Sequence, residues 1–122
     1  MLGHVSLGVR DLERARVFYD AITTPLGWTC LWDSPRGLGY GPSGGGEKIN
    51  LFPHPDAHPP GPGFHLAFNA PDRAAVDAFY GAALAKGGAD QGAPGPRPNY
   101  GPTYYAAFVI DPDGHKLEAV HQ

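Results

Sequence analysis

Two histidines open equivalent segments of a repeated pattern. His4 begins the segment 4–11 (HVSLGVRD), and His65 begins the segment 65–72 (HLAFNAPD), 61 residues later. The same offset matches Phe18 to Phe79, Tyr19 to Tyr80 and Ala21 to Ala82. Imidazoles are common ligands of transition-metal ions, so two of them on equivalent strands could contribute to one metal site. The alternative is that both are strand residues hydrogen-bonded to their neighbours, and the repeat by itself leaves both interpretations open.

The first histidine is expected on a strand that is backed by a helix. Alternation in residues 2–9 predicts a strand that carries His4 and Ser6 on one face. Asp11 is a favourable N-cap for a helix that continues to about Thr23. The apolar stripe of this helix consists of Ala15, Phe18, Tyr19 and Ile22. Because the stripe should pack on the other face of the strand, His4 is expected to point away from the helix.

Three further strands complete a first module at about residues 1–53. They are predicted at 28–32, 37–41 and 48–52, which gives the order βαβββ. Trp28 and Trp32 are expected on one strand face, where they either line a site or fill core. Asn50 lies in the last of these strands. The proline-rich stretch 54–63 is predicted to be an extended linker.

The second module, at about residues 64–122, repeats this order with one strand weakened. Strands are predicted at 64–70, 103–110 and 116–120 and a helix at about 73–86, whereas the stretch 89–102, rich in Gly and Pro, is expected to be a loop or short strand. Phe108 is expected in the core. Arg97, Tyr100 and Tyr104 belong to the loop region. A guanidinium beside aromatic rings could bind a carboxylate or phosphonate, or could order only its own loop, and the sequence favours neither.

Composition is typical of one globular domain, residues 1–122, large enough to bury a core without disulfides. A net charge of −3 with scattered signs argues against a nucleic-acid surface. No apolar run approaches the roughly 18 residues of a membrane span. The single cysteine, Cys30, cannot form an intramolecular disulfide, so nothing requires an oxidising compartment. A cytoplasmic protein is therefore expected.

The chain resembles the vicinal oxygen chelate superfamily, which includes glyoxalase I, extradiol dioxygenases, fosfomycin-resistance enzymes and bleomycin-resistance proteins. Three separated features carry the resemblance: the segment 4–11 with the pair Phe18 and Tyr19, His65 at the matching place, and the segment 111–118 (DPDGHKLE). The resemblance covers essentially the whole chain. It implies an α+β fold in which two βαβββ modules form a cupped mixed β-sheet around a divalent metal ion.

The resemblance also implies which residues hold the ion. Carried over to this sequence, the metal ligands are His4, His65 and Glu118. Asn50 stands where glyoxalases have a fourth ligand, and a neutral amide is a weak ligand, so the His/His/Glu set is more similar to that of the dioxygenases and fosfomycin-resistance enzymes. Such a set with open positions suits Fe²⁺, Mn²⁺, Zn²⁺ or Ni²⁺. The predicted substrate-binding residues are Ser6, Asn50, Arg97, Tyr100 and Tyr104.

The implied function is that of a glyoxalase-like, metal-dependent enzyme that acts on a small oxygen-rich metabolite, of the lyase, isomerase or dioxygenase type. Adjacent substrate oxygens would bind the ion, which would stabilise a developing enolate or oxyanion. The alternative is a metal-free protein of the bleomycin-resistance type that sequesters a ligand. A homodimer is expected. The resemblance leaves open whether each site lies within one chain or, as in several relatives, is built from two chains, in which case His4 of one chain meets His65 and Glu118 of the other.

Overall fold

A computed structural model describes all residues from Met1 to Gln122. Module one contains β1 (Val5–Val9), α1 (Leu12–Thr23), β2 (Trp28–Ser34), β3 (Gly37–Pro42) and β4 (Ile49–Pro53). Module two contains β5 (Leu66–Asn69), α2 (Arg73–Ala85), β6 (Ala89–Pro96), β7 (Tyr105–Ile110) and β8 (Lys116–His121). A one-turn 3₁₀ helix, Thr24–Leu26, follows α1. The two βαβββ modules predicted from the repeat are confirmed.

Each module forms its own four-stranded sheet. The strand orders are β1-β4-β3-β2 and β5-β8-β7-β6. In both sheets the first and last strands of the module pair in parallel, and the remaining neighbours pair antiparallel. β1 and β5 are consequently edge strands, and each has one side without a hydrogen-bonded neighbour in the chain.

The stretch after α2 forms a strand despite its glycines and prolines. β6 pairs antiparallel with β7, and its register shifts between Asp90 and Gly92 and again between Gly92 and Gly95. Proline has no amide hydrogen to donate. Because β6 is an edge strand, a proline can face its nitrogen to solvent, where the loss interrupts no hydrogen bond to β7. Of the two alternatives expected here, the loop was wrong: a strand of eight residues is present, and module two has all four of its strands.

The two helices pack together and against the sheets. Asp11 caps α1 by accepting a hydrogen bond from the amide of Arg14 at 3.0 Å, and Asp72 caps α2 in the same way. The apolar stripes of the helices join the inward-facing strand residues in one core of 21 buried residues. Strand alternation leaves the other face of each sheet free of helices, and that face carries the candidate site residues. Neither helix is long and apolar enough to cross a membrane.

A bulge in β2 separates the two tryptophans. The register of β2 shifts between Cys30 and Trp32, and one extra residue turns the following side chains to the other face. Trp28 packs edge-on against Phe68, with ring centroids 5.4 Å apart, whereas the indole of Trp32 lies over Gly39. The expectation that both rings share one face was wrong, because it assumed an uninterrupted strand.

The turn between β7 and β8 joins module two to module one. The side chain of Asp113 is only 1% exposed. Its Oδ1 accepts hydrogen bonds from the amide of Arg10 at 2.9 Å, from Arg10 Nε at 3.0 Å and from Arg14 Nη2 at 3.0 Å. Asp111 accepts a hydrogen bond from the Tyr19 hydroxyl at 2.6 Å, and burial raises the pKa of this carboxyl. The acidic turn therefore fixes the position of β8, which carries Glu118.

Candidate functional site

A cavity of about 500 Å³ opens on the helix-free face of the second sheet. Its position follows from the alternation along β8, where Leu117 and Ala119 face the core and Lys116 and Glu118 face the cavity. The lining residues are His65, Gln91, Gly92, Arg97, Tyr100, Tyr104, Phe108, Lys116 and Glu118. Five of the eight predicted site residues are therefore brought together in one chain.

Two of the lining residues, His65 and Glu118, form a hydrogen-bonded pair. His65 Nε2 lies 2.9 Å from Glu118 Oε1, and Glu118 is 2% exposed. The other carboxylate oxygen, Oε2, accepts a hydrogen bond from the Tyr104 hydroxyl. Phe108 pairs in register with Glu118, and its ring meets the imidazole edge-on at a centroid distance of 5.8 Å. The carboxylate is thus held at both oxygens in a nearly dry position.

Tyr104 acts in this arrangement as a hydrogen-bond donor. Burial, followed by the hydrogen bond to Glu118 and the charge of that carboxylate, raises the pKa of Tyr104 to about 12. The phenol therefore stays protonated at neutral pH, and its hydrogen remains available to the carboxylate. Tyr100, which is 66% exposed, packs edge-on against Tyr104 at 5.4 Å and forms the rim of the cavity.

Arg97 lines the cavity, but its guanidinium donates hydrogen bonds to the backbone of its own segment. Nη1 donates to the carbonyl of Gly95 at 2.9 Å, and Nη2 donates to the carbonyl of Ala93 at 2.8 Å. Its Cζ lies 5.7 Å from the centroid of the Phe108 ring. Of the two roles left open for Arg97, loop ordering is the one for which contacts are present in the chain. Substrate binding by Arg97 stays a prediction.

The three remaining predicted residues lie in module one and do not line this cavity. His4 and Ser6 are exposed at the start of the chain, and His4 lines a separate, smaller cavity that also contains Trp28. Asn50 is 5% exposed, and its Oδ1 accepts a hydrogen bond from Trp32 Nε1 at 3.1 Å. Within a single chain, no three His, Cys, Asp or Glu side chains are placed to hold a metal ion.

The pair of His65 and Glu118 nevertheless fits part of a metal site. Two ligand atoms that each lie about 2.1 Å from an ion, at a right angle to one another, are separated by about 3.0 Å. Nε2 and Oε1 stand 2.9 Å apart. An ion could therefore replace the hydrogen bond between them without a change in their separation. The imidazole and carboxylate are also ligands of the kind that Fe²⁺, Mn²⁺, Zn²⁺ and Ni²⁺ accept.

Sequence reasoning missed two large side chains of the cavity. Phe108 was expected in the core, yet it alternates with the core residues Ala107 and Val109 and lies on the cavity face. Lys116 shares a face with Glu118 because it lies two residues away on the same strand. Strict alternation along β7 and β8 was the signal that could have assigned both.

The family model of the Glyoxalase/Bleomycin resistance protein/Dioxygenase superfamily matches residues 1–119. The chain therefore belongs to this superfamily, and the resemblance inferred from the sequence is confirmed. No functionally curated protein matches the sequence.

Solved structures agree with the family assignment. A glyoxalase/bleomycin resistance protein from Albidiferax ferrireducens T118 is 32% identical, with a TM-score of 0.85 over 100% of this chain and 98% of that one. The fosfomycin resistance protein FosX from Mesorhizobium loti is 19% identical, with a TM-score of 0.71 over 100% and 92% of the two chains, and this likeness shows the fold alone. A mutant glyoxalase I from Zea mays is 26% identical, with a TM-score of 0.66 over 96% of this chain and 44% of that one.

Proposed function

We propose that the protein is a glyoxalase-like, metal-dependent enzyme that acts on a small oxygen-rich metabolite. The observation that carries the proposal is the pair of His65 Nε2 and Glu118 Oε1, which lie 2.9 Å apart in the lining of the cavity. A nearly buried carboxylate is costly unless it is paired or binds a cation. A divalent ion would supply Lewis-acid stabilisation of the negative charge that develops on a substrate oxygen.

In this proposal the chain's own residues have distinct roles. His65 and Glu118 are ligands, and His65 would offer to the ion an Nε2 that carries no hydrogen. Tyr104 is a positioning residue, because its hydroxyl donates to Oε2 of Glu118 and would hold the carboxylate in place when Oε1 binds an ion.

We propose that the third ligand is His4 of the partner subunit in a homodimer. β1 and β5 are the edge strands whose outer sides are unpaired. Placing β1 of one chain beside β5 of the other would join a sheet from each subunit into one cup. His4 and His65 each precede one of these strands. The two histidines of the repeat would then meet at the junction, although they are separate within one chain.

Metal uptake by untagged protein tests the ligand assignment. Wild type should bind Zn²⁺ or Mn²⁺ at one ion per chain, and His65→Ala should weaken binding by roughly a hundredfold or more, since even second-layer partners of a metal contribute 10- to 100-fold. The matched control is His58→Ala in the exposed linker. A wild type that takes up none of Fe²⁺, Mn²⁺, Zn²⁺ and Ni²⁺ would refute the proposal, as would equal losses in the two variants.

Mixing two defective variants tests the subunit arrangement. His4→Ala and His65→Ala dimers should each lack the complete ligand set. After their subunits are exchanged, a mixed dimer contains one site with both histidines intact, so about a quarter of the wild-type sites should return in an equal mixture. If all ligands came from one chain, mixing would restore none. Metal content after exchange is the measurement.

A second candidate function is metal-free ligand sequestration of the bleomycin-resistance type. One observation favours it: His65 and Tyr104 already satisfy both oxygens of Glu118 without an ion. This function requires that ligand binding persist in EDTA and survive Glu118→Gln. The enzyme proposal requires that both treatments abolish turnover.

A further inference from the structure

Three basic side chains of the cavity lie close to a single aromatic ring, that of Phe108. The centroid of Phe108 lies 5.2 Å from Lys116 Nζ and 5.7 Å from Arg97 Cζ. The imidazole of His65 meets the same ring edge-on, with ring centroids 5.8 Å apart. An aromatic face attracts cations, so Phe108 helps to hold the two permanent charges at the cavity.

The cavity is positive although the protein as a whole is acidic. Lys116 and Arg97 carry two permanent positive charges, and Glu118 is the one carboxylate of the lining. The net charge of the chain is −3. None of the ion pairs in the structure involves Lys116 or Arg97. A concentration of uncompensated charge in a concave site attracts ligands of the opposite sign.

The two cations differ in how free they are to bind a ligand. Two guanidinium nitrogens of Arg97 already donate to backbone carbonyls of β6. Lys116 lies in β8 beside the aromatic ring and is half-buried, and its ammonium group contacts no carboxylate. An ammonium group provides three donors on a flexible stem. Lys116 is therefore the cation of this cavity that can turn its donors to a ligand.

We propose that the cavity binds a small organic carboxylate through Lys116, which makes Lys116 the residue that selects anionic over neutral ligands. Lys116 and Glu118 are neighbours on one face of a strand, about 7 Å apart along it. A ligand with its carboxylate at Lys116 and its other oxygens near Glu118 is thus a small organic acid. The inference rests on the cavity of the proposed function, but it does not require the metal ion.

Benzoate and benzamide form a matched pair of probes, since they have nearly the same shape and differ in charge. Their binding is measured by NMR titration of the protein in EDTA. Wild type should bind benzoate about fivefold to tenfold more tightly than benzamide, as expected for a partly exposed charge-assisted hydrogen bond. Lys116→Gln should remove that preference, Lys116→Arg should retain part of it, and added salt should reduce it. Lys86→Gln, at the exposed end of α2, is the control that should leave it unchanged.

Three outcomes would overturn the inference: no benzoate binding at millimolar concentration, equal affinity for the two probes in wild type, or an unchanged preference in Lys116→Gln. Metal uptake by wild type is measured separately. A protein that binds no metal but prefers benzoate through Lys116 refutes the enzyme proposal and leaves the carboxylate subsite standing. A protein that binds metal but does not discriminate between the probes refutes the carboxylate subsite and leaves the metal site standing.

Discussion

Replacing Asp113 with alanine should loosen the contact between the two modules. The carboxylate lies in the turn between β7 and β8, and its Oδ1 accepts three hydrogen bonds from Arg10 and Arg14 in module one. Alanine removes all three at once. The two guanidinium groups can turn to water, because the side chains are 49% and 42% exposed. The amide of Arg10 has less freedom, because it belongs to the backbone at the end of β1.

The expected loss of stability can be worked out contact by contact. Leaving a partly buried amide without its acceptor costs about 1–3 kcal/mol. Each exposed arginine contact contributes less than about 1 kcal/mol. Together these give about 3 kcal/mol for Asp113→Ala, which corresponds to a fall in Tm of roughly 10 °C for a domain of this size. Asp113→Asn keeps an oxygen for the Arg10 amide and should cost about 1 kcal/mol.

Thermal and urea unfolding followed by circular dichroism, at one fixed protein concentration, would measure these changes. Asp56→Ala is the matched control, because Asp56 is exposed in the linker and forms no side-chain hydrogen bond or ion pair. Its unfolding free energy should change by less than about 0.5 kcal/mol. If Asp113→Ala were as stable as the control, the turn would not hold the modules together, and the predicted role of Asp113 would be refuted.

Two further substitutions test contacts on the helix-free faces of the two sheets. Gly39→Ala should destabilise the fold by about 1–3 kcal/mol, because its new Cβ would overlap the indole of Trp32. Urea unfolding measures this loss against the control Gly46→Ala, where a Cβ meets nothing within 4 Å. Equal stability of the two variants would contradict the prediction. Tyr104→Phe should weaken metal binding about tenfold with little change in Tm, since it removes the donor that holds Glu118. Competition with a fluorescent chelator measures that affinity, and an unchanged value would show that Tyr104 does not position the ligand.

The fold was predictable because the sequence contains the same βαβββ pattern twice. The repeat that starts at His4 and His65 predicted both modules, and helix caps and apolar stripes placed α1 and α2 nearly at their observed bounds. The errors in β2 and β6 share one cause. Period-two reasoning assumes an unbroken strand, so a bulge was invisible in β2, and a strand with bulges and prolines was underestimated in β6.

The candidate site was only partly predictable, because the sequence does not show which distant side chains meet. The family resemblance supplied Glu118 and His65, which lie in contact. It could not show that Arg97 would bond to its own segment, or that Lys116 would stand against Phe108 without a counter-charge. Those facts depend on the path of β6 beside β7, which long-range pairing determines. The position of His4 relative to His65 depends in addition on a second chain in the proposed dimer.

The sheets of the two modules have the same strand order, yet only the helix-free face of the second sheet carries an open polar cavity. Strand register explains the difference. In module one, Trp32 of β2 faces Gly39 of β3. In module two the corresponding residues of β6 and β7 are Gly92 and Phe108. The large residue and the glycine have exchanged strands. Each pair follows a register shift in the outer strand, which supports their equivalence.

The exchange of the glycine and the large aromatic residue between strands determines the surroundings of two equivalent polar residues, Asn50 in β4 and Glu118 in β8. Asn50 pairs in register with Ser6, and Glu118 pairs with Ala67, which lies at the repeat position of Ser6. In module one, the indole reaches across from the outer strand and occupies the oxygen of Asn50. In module two, the glycine of the outer strand leaves room above the aromatic ring, and Glu118 faces that space. The same backbone arrangement therefore has one closed, aromatic sheet face in module one and one open, charged sheet face in module two, because a single bulky residue lies on a different strand in each.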